Sequence, residues 1–347
     1  MMVDPFKNFA DISTEEWKNK IASFLKGASL DTLQVTLGND IILDPVVRKK
    51  HLSSPEIAPS FSSDNQWLMG EKILVGHDIG STKANVMSAL EYGINYLHLH
   101  FEYLCNPDEF NRLLEGIYLN MIHVHFSGEI TNDHVEYLIE ISQSYDEPIS
   151  LSFDTTIEIN TSQFNSKHRC ITRTLLLEEQ SINGLVTLLS LCNEHIEKSL
   201  SKQHQPLNEI LIHIKLSDSF YLNIAMVKAL KRLWLALLEG HKQTTYQMPF
   251  FVVSTQNTTD DMFQQMIANT SQAIAAIVEG VDAVLVRTEN TTDPNVARRI
   301  GRNIHHILRE ESYLAQIVGA TSGAYLLEDL SQQIIEKTWQ QFCTSHS

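Results

Sequence analysis

The stretch from Met121 to Asp154, MIHVHFSGEITNDHVEYLIEISQSYDEPISLSFD, contains one complete strand–helix–strand unit. Its two ends, MIHVHF and ISLSFD, are short and rich in branched and aromatic residues, which is typical of strands in a parallel sheet. Between them, Thr131 or Asn132 can cap a helix whose apolar face carries Val135, Leu138, Ile139 and Ile141. The stretch therefore predicts one βα unit followed by a second strand.

The same alternation of short apolar runs and longer helical segments extends in both directions from this unit. The predicted strands are Lys72–Gly76, Tyr96–Phe101, Met121–Phe126, Ile149–Asp154, Arg169–Thr174, Ile210–Leu216, Phe250–Thr255 and Ala283–Arg287. These are eight strands, the number at which a parallel sheet closes around a core of side chains. We therefore predict an α/β fold, a (β/α)8 TIM barrel over residues 67–347. An N-terminal helical and extended arm with its linker should occupy residues 1–66, and the Ser- and Pro-rich run Ser53–Gln66 is the predicted linker.

The composition of the chain argues against several classes of partner. The formal net charge is -16 over 347 residues, and the basic residues are scattered, so nucleic acid is not an expected partner. No run approaches the roughly 18 consecutive apolar residues of a membrane span, and the N-terminus lacks the pattern of an export signal. The four cysteines have no CxxC spacing. The sequence thus predicts a cytoplasmic protein with reduced thiols.

The closing segment of the chain, Thr291–Phe342, resembles the coenzyme-B12-dependent acyl-CoA mutases, the methylmalonyl-CoA mutase family. That family ends its barrel with an A-R-I-A-R-N segment, a turn ending G-S-Y-Y-V-E and a helix bearing A-W, and this chain has ARRIGRN from Ala297, SGAYLLE from Ser322 and Thr338 with Trp339. The helix from Phe220, FYLNIAMVKALKRLW, is similar to the family's F-Y-M-E-I-A-K-x-R-A-x-R-R-L-W helix. The N-terminal segment that ends at Leu25, Lys26 and Gly27 is similar to its arm.

The resemblance also indicates where this chain departs from catalytic members. Their G-Y-H-x-x-E-A-G-A motif supplies a histidine to the thioester carbonyl, and Leu176 stands at that position here. An isobutyl side chain cannot donate a hydrogen bond. The family's H-C-Q-T-S-G segment corresponds to Ser254–Thr259, which keeps a glutamine and lacks the histidine. No catalytic residue is therefore predicted on this chain.

The cofactor motif of the family is not found in this sequence. Its cobalamin-binding domain follows the barrel and presents D-x-H-x-x-G, whose histidine becomes the lower ligand of cobalt. None of the fifteen histidines here has Asp two positions before it and Gly three after. The resemblance then implies no cobalamin-binding domain and no cofactor on this chain, with adenosylcobalamin on a partner subunit.

The C-terminal ends of barrel strands are the expected place for ligand-binding side chains. The candidates there are Asp154, Thr174, Lys215, Ser254, Gln256, Asn257 and Arg287. A set of polar residues is expected at the mouth of any barrel. They could also line a cleft for a ligand, although bulky Phe101, Phe126, Phe153 and Phe251 would narrow or occlude the barrel if they pointed inward.

Two neighbouring strands carry His-x-His pairs, which suggests a different kind of site. His98 and His100 share one face of their strand, as do His123 and His125 on the next, so all four rings could cluster. Paired imidazoles suit Zn²⁺ or a similar ion. The alternative is that each ring is hydrogen-bonded within the barrel, and we predict no metal.

Three functions remain open at this stage. The first is a non-catalytic chain like the small (beta) subunit of a methylmalonyl-CoA mutase, paired as a heterodimer with a large, B12-binding catalytic subunit that interconverts methylmalonyl-CoA and succinyl-CoA. The second is a catalytic acyl-CoA mutase barrel completed by a separate cobalamin-binding subunit. The third is a metal-dependent barrel hydrolase that uses the strand histidines. Self-dimerisation is compatible with each of them.

Overall fold

The structure, a computed structural model, describes residues 12–37, 41–47, 65–154, 157, 159–201, 209–243, 248–256, 259–287 and 293–346. Its N-terminal part begins with helix α1 (Thr14–Phe24), which Ser13 caps through a reciprocal pair of hydrogen bonds with Glu16. A short antiparallel pair follows, consisting of β1 (Val35–Leu37) and β2 (Ile41–Leu43). The predicted linker lies outside the described residues except for Asn65 and Gln66.

The body of the protein is a parallel sheet that closes into a barrel. Its strand segments are β3 (Leu68–Val75), β4 (Tyr96–Phe101), β5 (His123–Gly128), β6 (Ser150–Asp154), β7 (Arg169–Ile171), β8 (Thr174–Leu177), β9 (Leu211–Lys215), β10 (Phe250–Ser254) and β11 (Ala283–Leu285). They are ordered β7-β6-β5-β4-β3-β11-β10-β9-β8, and every pairing is parallel. The predicted TIM barrel is confirmed.

The fifth strand of the barrel is broken into two segments. β7 pairs with β6, whereas β8 pairs with β9, and only Thr172 and Arg173 lie between the two segments. The ring therefore closes through this one strand, which passes from one neighbour to the other. The predicted strand Arg169–Thr174 was wrong at its C-terminal end, because the strand resumes at Thr174 and continues to Leu177.

Helices surround the barrel, as the alternating sequence pattern predicted. They are α2 (Ile79–Glu91), α3 (Pro107–Leu114), α4 (Asn132–Ser142), α5 (Ile182–Ser201), α6 (Phe220–Gly240), α7 (Met262–Ile277), α8 (Pro294–His306) and α9 (Tyr325–Ser345). Thr131 caps α4, and Val135 and Leu138 of its predicted apolar face are buried. Within the described residues, no helix has both the length and the apolar character needed to cross a bilayer.

The large phenylalanines lie between the strands and the helices. Phe101, Phe126 and Phe153 pack in one cluster with helical residues such as Phe110 and Leu138. Phe251 belongs to a second cluster of the same outer layer. These side chains point away from the barrel axis, because alternate residues of a strand face opposite sides of the sheet. The interior of the barrel is therefore formed by the other set of strand residues.

Candidate functional site

The N-terminal part of the barrel interior is closed by three stacked rings, which we call the ring layer: Tyr96, His123 and Phe250. The ring centroids of Tyr96 and His123 are 5.0 Å apart, and those of His123 and Phe250 are 4.8 Å apart. The guanidinium of Arg169 lies 4.5 Å from the centre of the Phe250 ring and pairs with Glu209. All three rings are buried and in contact, so this layer fills the barrel axis at its level.

Four further imidazoles lie above the ring layer, and we call them the imidazole layer: His98, His100, His125 and His213. The hydroxyl of Ser127 lies 2.7 Å from Nε2 of His98 and 2.8 Å from Nδ1 of His100. In the same way, Ser152 Oγ lies 2.8 Å from Nδ1 of His125 and 2.7 Å from Nε2 of His123. A hydroxyl can donate to one ring and accept from another, so each serine joins two imidazoles.

Burial keeps these rings neutral. It lowers the pKa of His125 to about 3 and that of His213 to about 4, and the positive charge of Lys72 acts in the same direction. The pKa of His98 and that of His123 also lie well below the ordinary value, again chiefly because of burial. A neutral imidazole has one donor and one acceptor nitrogen. At pH 7 the interior is therefore polar but carries no charge from these side chains.

The four strand histidines do cluster, as their spacing predicted, but the cluster is not arranged as a metal site. The centroids of His98 and His125 are 4.5 Å apart, and the rings meet edge to face. Serine hydroxyls occupy ring nitrogens that a metal ion would need. Among the residues that the structure describes, no three His, Cys, Asp or Glu side chains are placed to hold an ion. The hydrolase hypothesis is therefore not favoured.

Two nitrogens of the imidazole layer are buried without a hydrogen bond to any part of the chain that the structure describes. They are Nδ1 of His98 and Nε2 of His213. His213 lies beside Leu176 in the register of β9 and β8. A neutral imidazole with a spare nitrogen therefore stands next to Leu176.

Asp154 and Lys215, two of the predicted site residues, each end a strand at the C-terminal mouth of the barrel. Asp154 ends β6 in register with Ser127, and the removal of water from its carboxylate raises its pKa, while His100 acts in the opposite direction. Lys215 ends β9, and its ammonium lies 2.8 Å from Glu178 Oε1. This ion pair is open to solvent, so it orients Lys215 and contributes little to stability.

Ser254, Gln256 and Arg287 lie on the neighbouring side of the mouth, where Gln272 of α7 holds the backbone of Gln256. Gln256 Nε2 donates to the hydroxyl of buried Ser254 at 3.2 Å, and its backbone N–H donates to Gln272 Oε1 at 2.8 Å. The backbone of Arg287 is held in place by a hydrogen bond, because its N–H donates to Thr255 Oγ1 at 2.9 Å. Asn257 lies outside the described residues.

Thr174 and Leu176 occupy places that the sequence analysis did not anticipate. Thr174 begins β8 rather than ending the fifth strand, and its hydroxyl donates to the carbonyl oxygen of Phe153 at 2.9 Å. It is therefore part of the barrel wall near the break in the strand. Leu176 follows within β8, with 42% of its surface exposed. That exposure places an apolar, chemically inert side chain at the solvent-accessible side of the site.

Three residues of the mouth escaped the sequence analysis. Lys72 lies in register with His98 and so faces the barrel interior. Glu178 pairs with Lys215, and Gln272 holds the backbone of Gln256. The position of Lys72 could have been derived from strand alternation, since the predicted strand began there. The other two act across elements that are far apart in sequence, which no local pattern reveals.

Comparison with known proteins gives relatives named as methylmalonyl-CoA mutases or their small subunits. A family model described as methylmalonyl-CoA mutase matches residues 195–345. The methylmalonyl-CoA mutase small subunit of Porphyromonas gingivalis is 22% identical over 97% of this chain and 63% of its own length. The small subunit of Streptomyces virginiae is 33% identical over 35% of this chain and 21% of its own. The chain thus spans less than two thirds of the length of these relatives.

Solved structures of other enzymes share the general arrangement only. Dihydropteroate synthase from Thermus thermophilus aligns with 70% of this chain and 94% of its own, at 12% identity and a TM-score of 0.38.

Proposed function

This chain belongs to the methylmalonyl-CoA mutase family, and on that premise we propose that it is a non-catalytic subunit which pairs with a B12-binding catalytic subunit. The observation that carries the proposal is Leu176. It lies in β8 with 42% of its surface exposed, and the family resemblance implies that catalytic relatives present an imidazole to the thioester at this position. A hydrocarbon side chain can neither donate a hydrogen bond nor stabilise developing charge.

The packing of the barrel interior supports the same proposal. A long acyl-CoA substrate would have to occupy the axis, and the ring layer of Tyr96, His123 and Phe250 fills that space. Displacing three buried rings would cost more than a pantetheine arm regains from apolar contact. The barrel then serves as a rigid body that presents its outer surface to a partner.

The corrinoid is proposed to reside on the partner. The imidazoles of this barrel lie inside the lumen, and serine hydroxyls engage at least one nitrogen each of His98, His123 and His125, which does not suit these rings as cobalt ligands at the mouth. Adenosylcobalamin supplies the radical that starts the carbon-skeleton rearrangement. We also propose that the two subunits form a heterodimer. The partner subunit then acts on an acyl-CoA and interconverts methylmalonyl-CoA and succinyl-CoA.

A copurification experiment tests the pairing. A tagged form of this chain should retain a catalytic large subunit of the family through size-exclusion chromatography and raise the melting temperature of that subunit. A ligand that binds only the folded state always raises its stability, and a partner subunit acts in the same way. If the two proteins elute separately at micromolar concentration, the pairing is refuted.

We predict that the imidazole next to Leu176 makes no contribution to turnover. In the complex with a large subunit, His213→Ala should leave kcat within about twofold, because the active site lies on the other chain. Removal of a donor that stabilises a transition state costs about 10²–10³ in kcat. A loss of that size would assign catalysis to this barrel and support the second hypothesis. Circular dichroism of the variant controls for unfolding.

We further predict that the free chain does not bind an acyl-CoA with measurable stoichiometry. Calorimetric titration with methylmalonyl-CoA should give no saturable heat, because the ring layer fills the axis. The variant Phe250→Ala removes one ring and should lower the free energy of unfolding by about 3–5 kcal/mol. Stoichiometric binding to the unmodified chain would contradict the proposed closure of the barrel.

A further inference from the structure

The first and last strands of the barrel separate toward their C-terminal ends. β3 and β11 pair over three positions, from Leu68 with Ala283 to Gly70 with Leu285, and β3 then continues to Val75. Helix α8 lies across the resulting gap. A cleft of about 350 Å³ opens there, between the barrel wall and one face of the helix. This volume falls within the range of small-molecule sites, about 300–1,000 Å³.

Small residues of α8 keep the cleft open. Pro294, Ala297 and Gly301 recur at helical spacing on the face that borders it. Ala297 is buried, and a larger side chain there would project into the space. The opposite wall includes the apolar side chains of Ile94 and Leu285. The inner part of the cleft therefore suits a hydrocarbon chain.

The floor of the cleft is electrically neutral. Arg302 of α8 donates to Glu71 of β3 through Nε and Nη2, at 2.7 and 3.0 Å, and both residues are buried. Arg302 also donates to the hydroxyl of Ser88 at 3.0 Å. The carboxylate of Glu71 is thus fully engaged by its guanidinium partner and does not repel an incoming anion.

Basic side chains line the rim of the cleft, in a chain whose formal net charge is -16. Among the lining residues that the structure describes, these are Lys72, Arg287 and Arg298, and the acidic residue Glu71 belongs to the buried pair. Arg298 Nη2 donates to Asn295 Oδ1 at 2.9 Å, which holds the guanidinium at the N-terminal end of α8. A planar guanidinium matches the two oxygens of a carboxylate, and a carboxylate is an anion that can carry an aliphatic chain.

We propose that this cleft binds a small aliphatic carboxylate, with the carboxylate at Arg298 and the hydrocarbon against Leu285 and Ala297. The site lies beneath α8, at the seam between β3 and β11, and its lining residue Leu285 also belongs to the buried cluster that contains Tyr96 and Phe250 of the ring layer. It does not depend on the pairing proposed above, since every residue in it belongs to this chain.

The test uses the intact chain and hexanoate as the probe. Calorimetry or ligand-observed NMR should show saturable binding at millimolar concentration, weaker binding of hexanol, which lacks the charge, and weaker binding of acetate, which lacks the chain. Arg298→Gln should weaken hexanoate binding about tenfold or more, because a charge-assisted hydrogen bond is lost. Arg299→Gln is the matched control, since Arg299 is exposed and does not line the cleft.

A second variant tests the cavity itself. Ala297→Leu places a larger side chain in the cleft and should abolish hexanoate binding while the protein stays folded by circular dichroism. The proposal is overturned if hexanoate does not saturate the unmodified chain. It is equally overturned if Arg298→Gln and Arg299→Gln bind alike, or if a folded Ala297→Leu protein binds as well as the parent.

Discussion

Lowering the pH from 6.5 to about 4 is expected to remove most of the stability of this protein. Burial lowers the pKa of His125 to about 3, that of His213 to about 4 and that of His305 to about 3. The unfolded chain binds protons at these rings near pH 6.5, whereas the folded chain binds them only at lower pH. The free energy of unfolding therefore decreases as the pH falls. Well above pH 6.5 the rings are neutral in both states, so stability no longer changes with pH through them.

The expected size of this effect follows from proton linkage. Each ring that is protonated only in the unfolded state contributes about 1.4 kcal/mol per pH unit. Three such rings give a slope of about 4 kcal/mol per pH unit near pH 5, which is a large share of a typical total of 5–15 kcal/mol. His98 and His123 act in the same direction, and the nearby Lys72 and Lys215 reinforce the shift.

Urea unfolding measured at pH 7.5, 6.5, 5.5 and 5.0 would check this prediction. The free energy of unfolding should be nearly level over the first interval and fall steeply over the last two. His125→Asn should have a shallower slope than the parent, because one of the three rings is removed. Equal free energies at pH 6.5 and pH 5.0 would show that the imidazole layer is hydrated in the folded protein.

Replacement of Glu328 is expected to cause the largest loss of stability among single charge-removing substitutions in α9. Its carboxylate pairs with Lys228 and, at 2.9 Å, with Arg232, and thus joins α9 to α6. The side chains of Glu328 and Lys228 are 6% and 7% exposed, so Glu328→Ala leaves a buried ammonium without its counter-charge. The free energy of unfolding should fall by about 3–5 kcal/mol.

The matched control for this substitution is Glu336→Ala, on an exposed part of the same helix. It should change the free energy of unfolding by no more than about 0.5 kcal/mol. The double substitution Lys228→Met with Glu328→Leu provides a second check, because replacing both buried charges by apolar groups restores part of the loss. If Glu328→Ala and Glu336→Ala changed the free energy of unfolding by similar amounts, the ion pair between Glu328 and Lys228 would be solvated.

The positions of strands and helices could be predicted because they depend on local sequence pattern. The β4 run YLHLHF was predicted with its full bounds, and the helix after Thr131 begins at the predicted cap. Both follow from side-chain period and capping, which neighbours in sequence determine. The prediction failed at the fifth strand, which is interrupted at Thr172 and Arg173. Its first segment pairs with β6 and its second segment pairs with β9. Such a contact has no signature within the strand itself.

The sequence by itself determined the class of fold and carries the resemblance to the methylmalonyl-CoA mutase family, which implies that Leu176 takes the place of a histidine. It also placed His98, His100, His123 and His125 on shared strand faces, since alternation is a property of one strand. Only the tertiary structure decided that serine hydroxyls join these rings, that Tyr96 and Phe250 close the axis with His123, and that α8 leaves a charged cleft at the seam. These features arise from side chains on separate strands and helices, and their distances are fixed only when the barrel closes.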